Sequence, residues 1–158
     1  MAHISIIGSG NMGQAISGLI AKGDNSVELV SSSDAAKPVT GDIVVLAVPY
    51  SSISSVIAER GSQLAGKVVV DITNPLNFET FDGLTVAADG SAAAEIAAAL
   101  PQSRVLKAFN TTFAATLVAG IVGPLTTTVL IAGDDADAKS TLAASSPPAT
   151  CWRSTQAR

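Results

Sequence analysis

The stretch "SIIGSGNMGQAISGLI", residues 5–20, decides how this chain is read. Strand-like apolar residues run into a cluster of glycines, and the glycines run into a helix-like pattern. Gly8, Gly10 and Gly13 spell G-x-G-x-x-G, a triplet that alone is a weak signal. Its place directly after a strand and at the opening of a helix gives each glycine a separate task. Gly8 allows the tight turn, Gly10 lets a pyrophosphate approach the backbone, and Gly13 lets helix and strand pack closely. Ser9, Asn11 and Met12 complete the loop. The helix start adds unpaired N–H groups and a positive dipole end, an anion site that needs no basic side chain. A glycine turn without a ligand is the alternative; in this context a bound dinucleotide explains the pattern better.

The rest of the composition narrows the partners. The chain has 158 residues, 47% hydrophobic and 14% charged, the balance of one α/β domain with a sizeable core. Net charge is −4, which leaves no basic footprint for nucleic acid and no basic amphipathic stretch for a membrane surface. Runs such as "IVVLAV" (43–48) are too short to span a bilayer, and the N-terminus lacks a signal-peptide pattern, so a cytoplasmic location is expected. Cys151 is the only cysteine and His3 the only histidine, which leaves little from which to build a disulfide or a metal site.

Apolar or β-branched runs recur at 3–7, 26–30, 42–48, 67–72, 104–109 and 126–132. Helix-like segments at 11–22, about 51–60, 91–100 and 134–144 separate most of them, the last led by Asp134 and Asp135. Alternation of this kind predicts an α/β fold with a doubly wound, mainly parallel sheet in a single domain. The strands are apolar on nearly every residue, as expected when helices cover both faces. Between the second and third runs, "SSSDAAKPVT" (31–40) is too short and too rich in Ser, Pro and Thr for a helix. A loop is expected there.

That loop bears on which dinucleotide binds. An NAD site usually places Asp or Glu after the second strand, against the ribose hydroxyls. Glu28 falls inside the strand and Asp34 follows three serines, so the position belongs to Ser31 or Ser32. Small hydroxyls donate to a 2′-phosphate, where a carboxylate repels it; with Ser9, and Lys37 as a weaker candidate, they favour NADP. Three further loops follow strand ends and should border the nicotinamide: 47–52, 71–78 and 107–112. Ala47, Val48 and Pro49 offer a stiff apolar wall. Asn74 with Pro75, Asn110 and Thr111 offer amide and hydroxyl groups, although Asn-Pro is also an ordinary turn former. Lys107 and Tyr50 are the only side chains near strand ends suited to proton donation, and no catalytic residue stands out.

"IGSGNMG", "LAVPY", "DITNPLNF" and "KAFNT", in this order and spacing, resemble the NADP oxidoreductases that use the deazaflavin coenzyme F420. The resemblance runs to about residue 143. It implies a Rossmann fold, recognition of the 2′-phosphate by Ser9, Ser31 and Ser32, and hydride exchange between NADP and a deazaflavin. The family often carries arginine where this chain has Ser32, and the helix after the second strand is missing. "IGSGNMGQAI" also resembles the start of the pyrroline-5-carboxylate reductases, which implies imine reduction as an alternative over that first unit alone. A binding or sensor module without turnover is a further alternative. Hydride transfer between two bound rings relies on proximity and orientation, which suits a chain with few acid or base groups.

Two expectations concern the second half. The apolar segment "TFAATLVAGIVGPL" (112–125) exceeds the needs of a solvated face and points to a homodimer. From about Ser145 the composition changes, so residues 1–144 read as the dinucleotide-binding domain and 145–158 as an atypical tail. Shifting the reading frame of "TCWRSTQAR" gives codons compatible with "LLAVDAGS", close to the turn that the family resemblance implies; a frame-shifted tail and an incomplete acceptor pocket are therefore expected, with a naturally divergent tail, which Pro147-Pro148 and the polar composition also allow, as the alternative.

Overall fold

A computed structural model describes residues 1–34 and 36–146, and residues 151–155 as backbone. In chain order the elements are β1 (His3–Ile7), α1 (Asn11–Ala21), β2 (Ser26–Val30), β3 (Ile43–Leu46), α2 (Ile53–Arg60), β4 (Val68–Asp71), α3 (Ala92–Ala99) and β5 (Arg104–Ala108). There follow α4 (Ala114–Ala119), a hairpin of β6 (Ile121–Val122) and β7 (Leu125–Thr126), β8 (Thr128–Ala132), α5 (Ala136–Ala144) and β9 (Cys151–Thr155). The strands form one sheet in the order β2-β1-β3-β4-β5-β8-β9, with the β6–β7 hairpin apart. All pairs from β2 to β5 are parallel.

The fold is the doubly wound α/β sheet that the alternating runs predict, and its core explains why those runs are apolar throughout. Along β3, Ile43 and Val45 face the cluster under α1, α4 and α5, with Ile16, Ile20, Leu117 and Leu142. Val44 and Leu46 face the opposite cluster, under α2 and α3, with Ile53, Ile96 and Leu100. Side chains alternate across a strand, so a strand covered on both faces has no position left for polar residues. Ser5 is an exception on β1, fully buried yet satisfied: its hydroxyl accepts from the Gly41 N–H at 2.8 Å and donates to Glu28.

The helix ends follow the sequence as well. Ser91 caps α3 by accepting from the Ala94 N–H, and Asp135 caps α5 by accepting from the Ala138 N–H. Each satisfies a backbone donor that the first helical turn leaves unpaired. Among the described residues, 31–34 and 36–40 hold turns and no helix, as their composition predicts.

One strand departs from the parallel majority. The last apolar run joins the sheet antiparallel to β5, with Lys107 opposite Ala132 and Ala108 opposite Ile131. A parallel return needs a crossover that carries the chain back to the opposite edge of the sheet. The six-residue α4 and the hairpin, which turns at Gly123 (φ 57°), lack that length, so β8 starts beyond the carboxyl edge and runs inward. β9 lies parallel to β8, and the side chains of the tail lie outside the described residues.

Two glycines hold α1 against the sheet. A Cβ on Gly13 would sit 2.1 Å from the Gly8 carbonyl oxygen, and one on Gly8 would sit 2.1 Å from that of Ala47. Both neighbours are backbone and cannot turn aside. Gly8→Ala and Gly13→Ala are each expected to lower the unfolding free energy by about 2 kcal/mol or more. Gly18→Ala, in the same helix with nothing within 4 Å, should instead raise it by up to about 1 kcal/mol. Urea unfolding of the three variants measures the contrast.

Candidate functional site: a cleft at the carboxyl edge of the sheet

The strand order reverses at β1, whose neighbours β2 and β3 lead in opposite directions. In open α/β sheets such a reversal leaves a crevice beyond the strand ends. Here it is a cavity of about 450 Å³, lined by Gly8–Gly10, by Val30–Ser32, by Ala47–Pro49, and by Ser52, Ser55, Val56, Glu59 and Arg60. Two backbone hydrogen bonds carry the walls one step past the strands, Gly8 N–H to the Val30 carbonyl and Ala47 N–H to the Ile7 carbonyl, each 2.8 Å. Gly8 turns there with φ 116°.

The helix behind the glycine loop is left open. Gly10 is the N-cap of α1, no side chain caps it, and no acidic residue lies in its first turn. A Cβ on Gly10 would meet nothing within 4 Å. Of the three motif glycines, two are filled by the protein's own backbone and the third faces free space. Gly10 is thus the place where another molecule's backbone-sized group can reach the exposed N–H donors.

The loop after β2 is organised from within. Asp34 accepts from both the N–H and the hydroxyl of Ser31, at 2.9 and 2.8 Å, and Ser31 Oγ lies 2.7 Å from Ser33 Oγ. The Ser31 N–H and hydroxyl hold the Asp34 carboxyl below its usual pKa, with Lys37 and Arg60 adding to the effect. Ser31 is therefore occupied, whereas Ser32 beside it is exposed. Lys37 donates to the Leu29 carbonyl at 2.8 Å. On the neighbouring β2 side, burial alone would raise the Glu28 pKa, but hydrogen bonds from Ser5 and from the Thr40 N–H and hydroxyl outweigh it and lower the value.

Sequence reasoning passed over Arg60. It is buried, its two terminal nitrogens donate to the Lys37 and Asp34 carbonyls at 2.7 Å each, and it lines the cleft. A signal existed: in "ISSVIAER" Arg60 follows Ile53 and Ile57 at helical spacing, a charge on the apolar stripe of α2.

Farther along the same edge, Asn74, Pro75, Lys107 and Asn110 come together around a second cavity of about 560 Å³, closed by the start of α3. The Asn74 amide donates to the Asn110 carbonyl at 3.0 Å and ties the loops after β4 and β5. Lys107 donates to the Asp71 carboxylate at 2.7 Å and to the Thr73 carbonyl, and Asp71 is fully buried. Phe109, fully buried with φ 63°, turns the chain between Lys107 and Asn110. Tyr50 is drawn elsewhere: its hydroxyl donates to Glu95 on α3, and that bond raises its pKa further from neutrality.

Residues 24–75 match the family described as NADP oxidoreductase, coenzyme F420-dependent, a span that includes Ser31, Ser32, Pro49, Arg60 and Asn74. The F420-dependent NADP reductase of Methanocaldococcus jannaschii is 34% identical over 113 residues, covering 70% of this chain and 49% of the relative. The chain belongs to this family. It spans about half the length of that curated relative. Two solved structures share the fold. A hypothetical protein from Sinorhizobium meliloti superposes with a TM-score of 0.78 at 24% identity, over 99% of this chain and 85% of that one. A candidate F420-dependent NADP reductase from an Arthrobacter species gives 0.74 at 24% identity, over 98% and 85%.

The loop around this cleft should loosen in acid. Asp34 and Glu28 have folded pKa values below those of the unfolded chain. Their stabilisation is therefore complete at neutral pH and is lost as pH falls from the ordinary carboxylate range through the folded values. The melting temperature should fall over that range, and Glu28→Gln should lower it at neutral pH while flattening the acid limb. Melting curves at pH 7 and at about pH 3 compare the two proteins.

Proposed function

We propose that this chain binds NADP(H) in the cleft beyond β1 and exchanges a hydride between that cofactor and a deazaflavin. The reading rests above all on the open cradle at Gly10, with free space at a helix start that neither a side chain nor an acid occupies. A dinucleotide fits this donor set: its pyrophosphate would take the free N–H groups of the glycine loop and the start of α1, residues 9–13, and its adenosine end would take the space between Ser31, Ser32 and α2. The name of the Methanocaldococcus jannaschii relative, an F420-dependent NADP reductase, supports the acceptor.

The nicotinamide supplies or receives the hydride, and the protein's part is placement. Ala47, Val48 and Pro49 form the apolar wall where the two ends of the cofactor diverge. Asn74 and Asn110, tied to each other, keep the loops after β4 and β5 together along the second cavity, where an acceptor ring would lie. Lys107 is ion-paired with Asp71, which orients the same loops. Hydride transfer between two planar rings asks for this positioning more than for proton transfer.

The apolar surface supports a pair of subunits. Phe113, Val118, Ile121, Val122 and Leu125 are all exposed on α4 and the hairpin, a continuous stretch that a second copy would cover. Light scattering at micromolar concentration should give twice the chain mass; a monomer would refute the pairing.

At equal concentration NADPH should raise the melting temperature more than NADH, with a preference of about 10- to 100-fold in affinity, the worth of hydrogen bonds to a charged group. Equal shifts would sink the NADP assignment. Gly10→Val should abolish the shift in a protein that still unfolds cooperatively. Loss of NADPH absorbance on mixing with a deazaflavin tests the acceptor, and a panel of cyclic imines run alongside would reveal the other chemistry.

A further inference from the structure

We propose that Arg60, on α2, supplies the cationic contact for the ribose 2′-phosphate in place of a side chain from the loop after β2. The inference rests on the NADP reading above and adds to it the residue that sets the preference.

Four observations support it. Arg60 lines the same cavity as Ser31 and Ser32 and bonds to the loop that follows them. It is only 5% exposed. No carboxylate of the described residues lies within ion-pair distance of it, the one such pair being Lys107 with Asp71. Its partners are two neutral carbonyls, those of Asp34 and Lys37. A guanidinium carries five N–H donors, so two are engaged and three remain. The Asp34 carboxylate acts on this charge only from beyond ion-pair distance; a buried cation bonded to carbonyls alone remains costly, and an anion in the adjoining cleft completes it.

The residues in the loop are badly placed to do this work themselves. Ser31 gives its hydroxyl proton to Asp34, and Lys37 is drawn to the strand, where it donates one N–H to the Leu29 carbonyl and its charge acts on Glu28 and Asp34. Ser32 remains as a neutral donor. Arg60 also holds the two carbonyls that bracket the turn following Ser32, so charge and loop shape come from one side chain. Planar guanidinium donors match phosphate oxygens in pairs, which a lysine cannot reproduce. Two acids stand nearby: Asp34, whose carboxylate is turned to Ser31, and the exposed Glu59, which lines the cleft and opposes an anion.

The decisive quantity is the ratio of NADP⁺ to NAD⁺ affinity, measured by calorimetry on the full chain. The wild-type ratio should exceed about 10, and Arg60→Met should bring it to near 1 through NADP⁺ alone. A merely structural role would weaken both cofactors in parallel, and that result would overturn the assignment. Arg60→Lys, which keeps charge and a carbonyl bond, should lose part of the ratio, about 3- to 10-fold, and serves if Arg60→Met does not fold. Glu59→Gln, at an exposed position, should raise the ratio by about 2- to 5-fold, and no rise would count against the site. A wild-type ratio near 1 would overturn the cofactor reading itself. A wild-type ratio above 10 that persists in Arg60→Met would overturn the role of Arg60 and leave NADP in place.

Discussion

The structure depends on how closely three backbone segments approach at the end of β1. Gly8 is pressed against the Ala47 carbonyl on one side, while its own carbonyl fills the space a Gly13 side chain would need. This contact fixes the height of α1 above the sheet and brings β1 and β3 to the same edge. It also decides what is left over. Once Gly8 and Gly13 are used for packing, the helix start between them projects past the sheet with its N–H groups unspent, and Gly10 keeps the space before them clear. The open helix start, the proposed anion site, is thus a by-product of tight packing, because the residues that seal the core are those that expose the donors.

A second constraint acts at the far side of the cleft. Asp71 is fully buried at the end of β4, and Lys107 of β5 is its ion-pair partner among the described residues. Removing one member of such a pair strands the other and costs about 3–5 kcal/mol. The lysine that the sequence offers as a proton donor is accordingly committed to holding β4 to β5, together with the Thr73 carbonyl. Its place beside Asn74 and Asn110 follows from that pairing. Lys107 shapes the second cavity first as a structural cation, and a loss of turnover on its replacement would report on the sheet as much as on chemistry.

Much of this was legible in the residues. β1 and β2 run over the same bounds as the apolar stretches that predict them, because Gly8 ends the first and the polar Asn25 and Ser31 bracket the second. Ser91 and Asp135 announce the helices they cap. What was not legible has a common physical character. The direction of β8 is set by the short route through α4 and the hairpin, a distance in space that composition does not encode. The engagement of Ser31 by Asp34 depends on a turn that folds residue 34 back on residue 31. The reach of Arg60 to the carbonyls of 34 and 37 joins segments separated by more than twenty residues. Local pattern finds strands and caps; it does not find which side chain fills a corner made by two distant loops.

The same distinction bears on the proposed 2′-phosphate contact, in which a loop of serines would draw positive charge from another element. A loop without a helix, following an edge strand, has few contacts of its own to hold a long cationic side chain in one rotamer. The loss of rotamer freedom on fixing an arginine is about 2 kcal/mol. Placed on α2, the side chain is already fixed by burial and by its two carbonyl bonds. That ordering cost is then met in folding and need not be met again on binding. The loop, in turn, gains its shape from the cation beneath it. In the proposed site, short hydroxyl side chains above and a buried guanidinium below would be complementary parts of one device, in which the helix supplies charge and rigidity and the loop supplies neutral donors that do not compete for it.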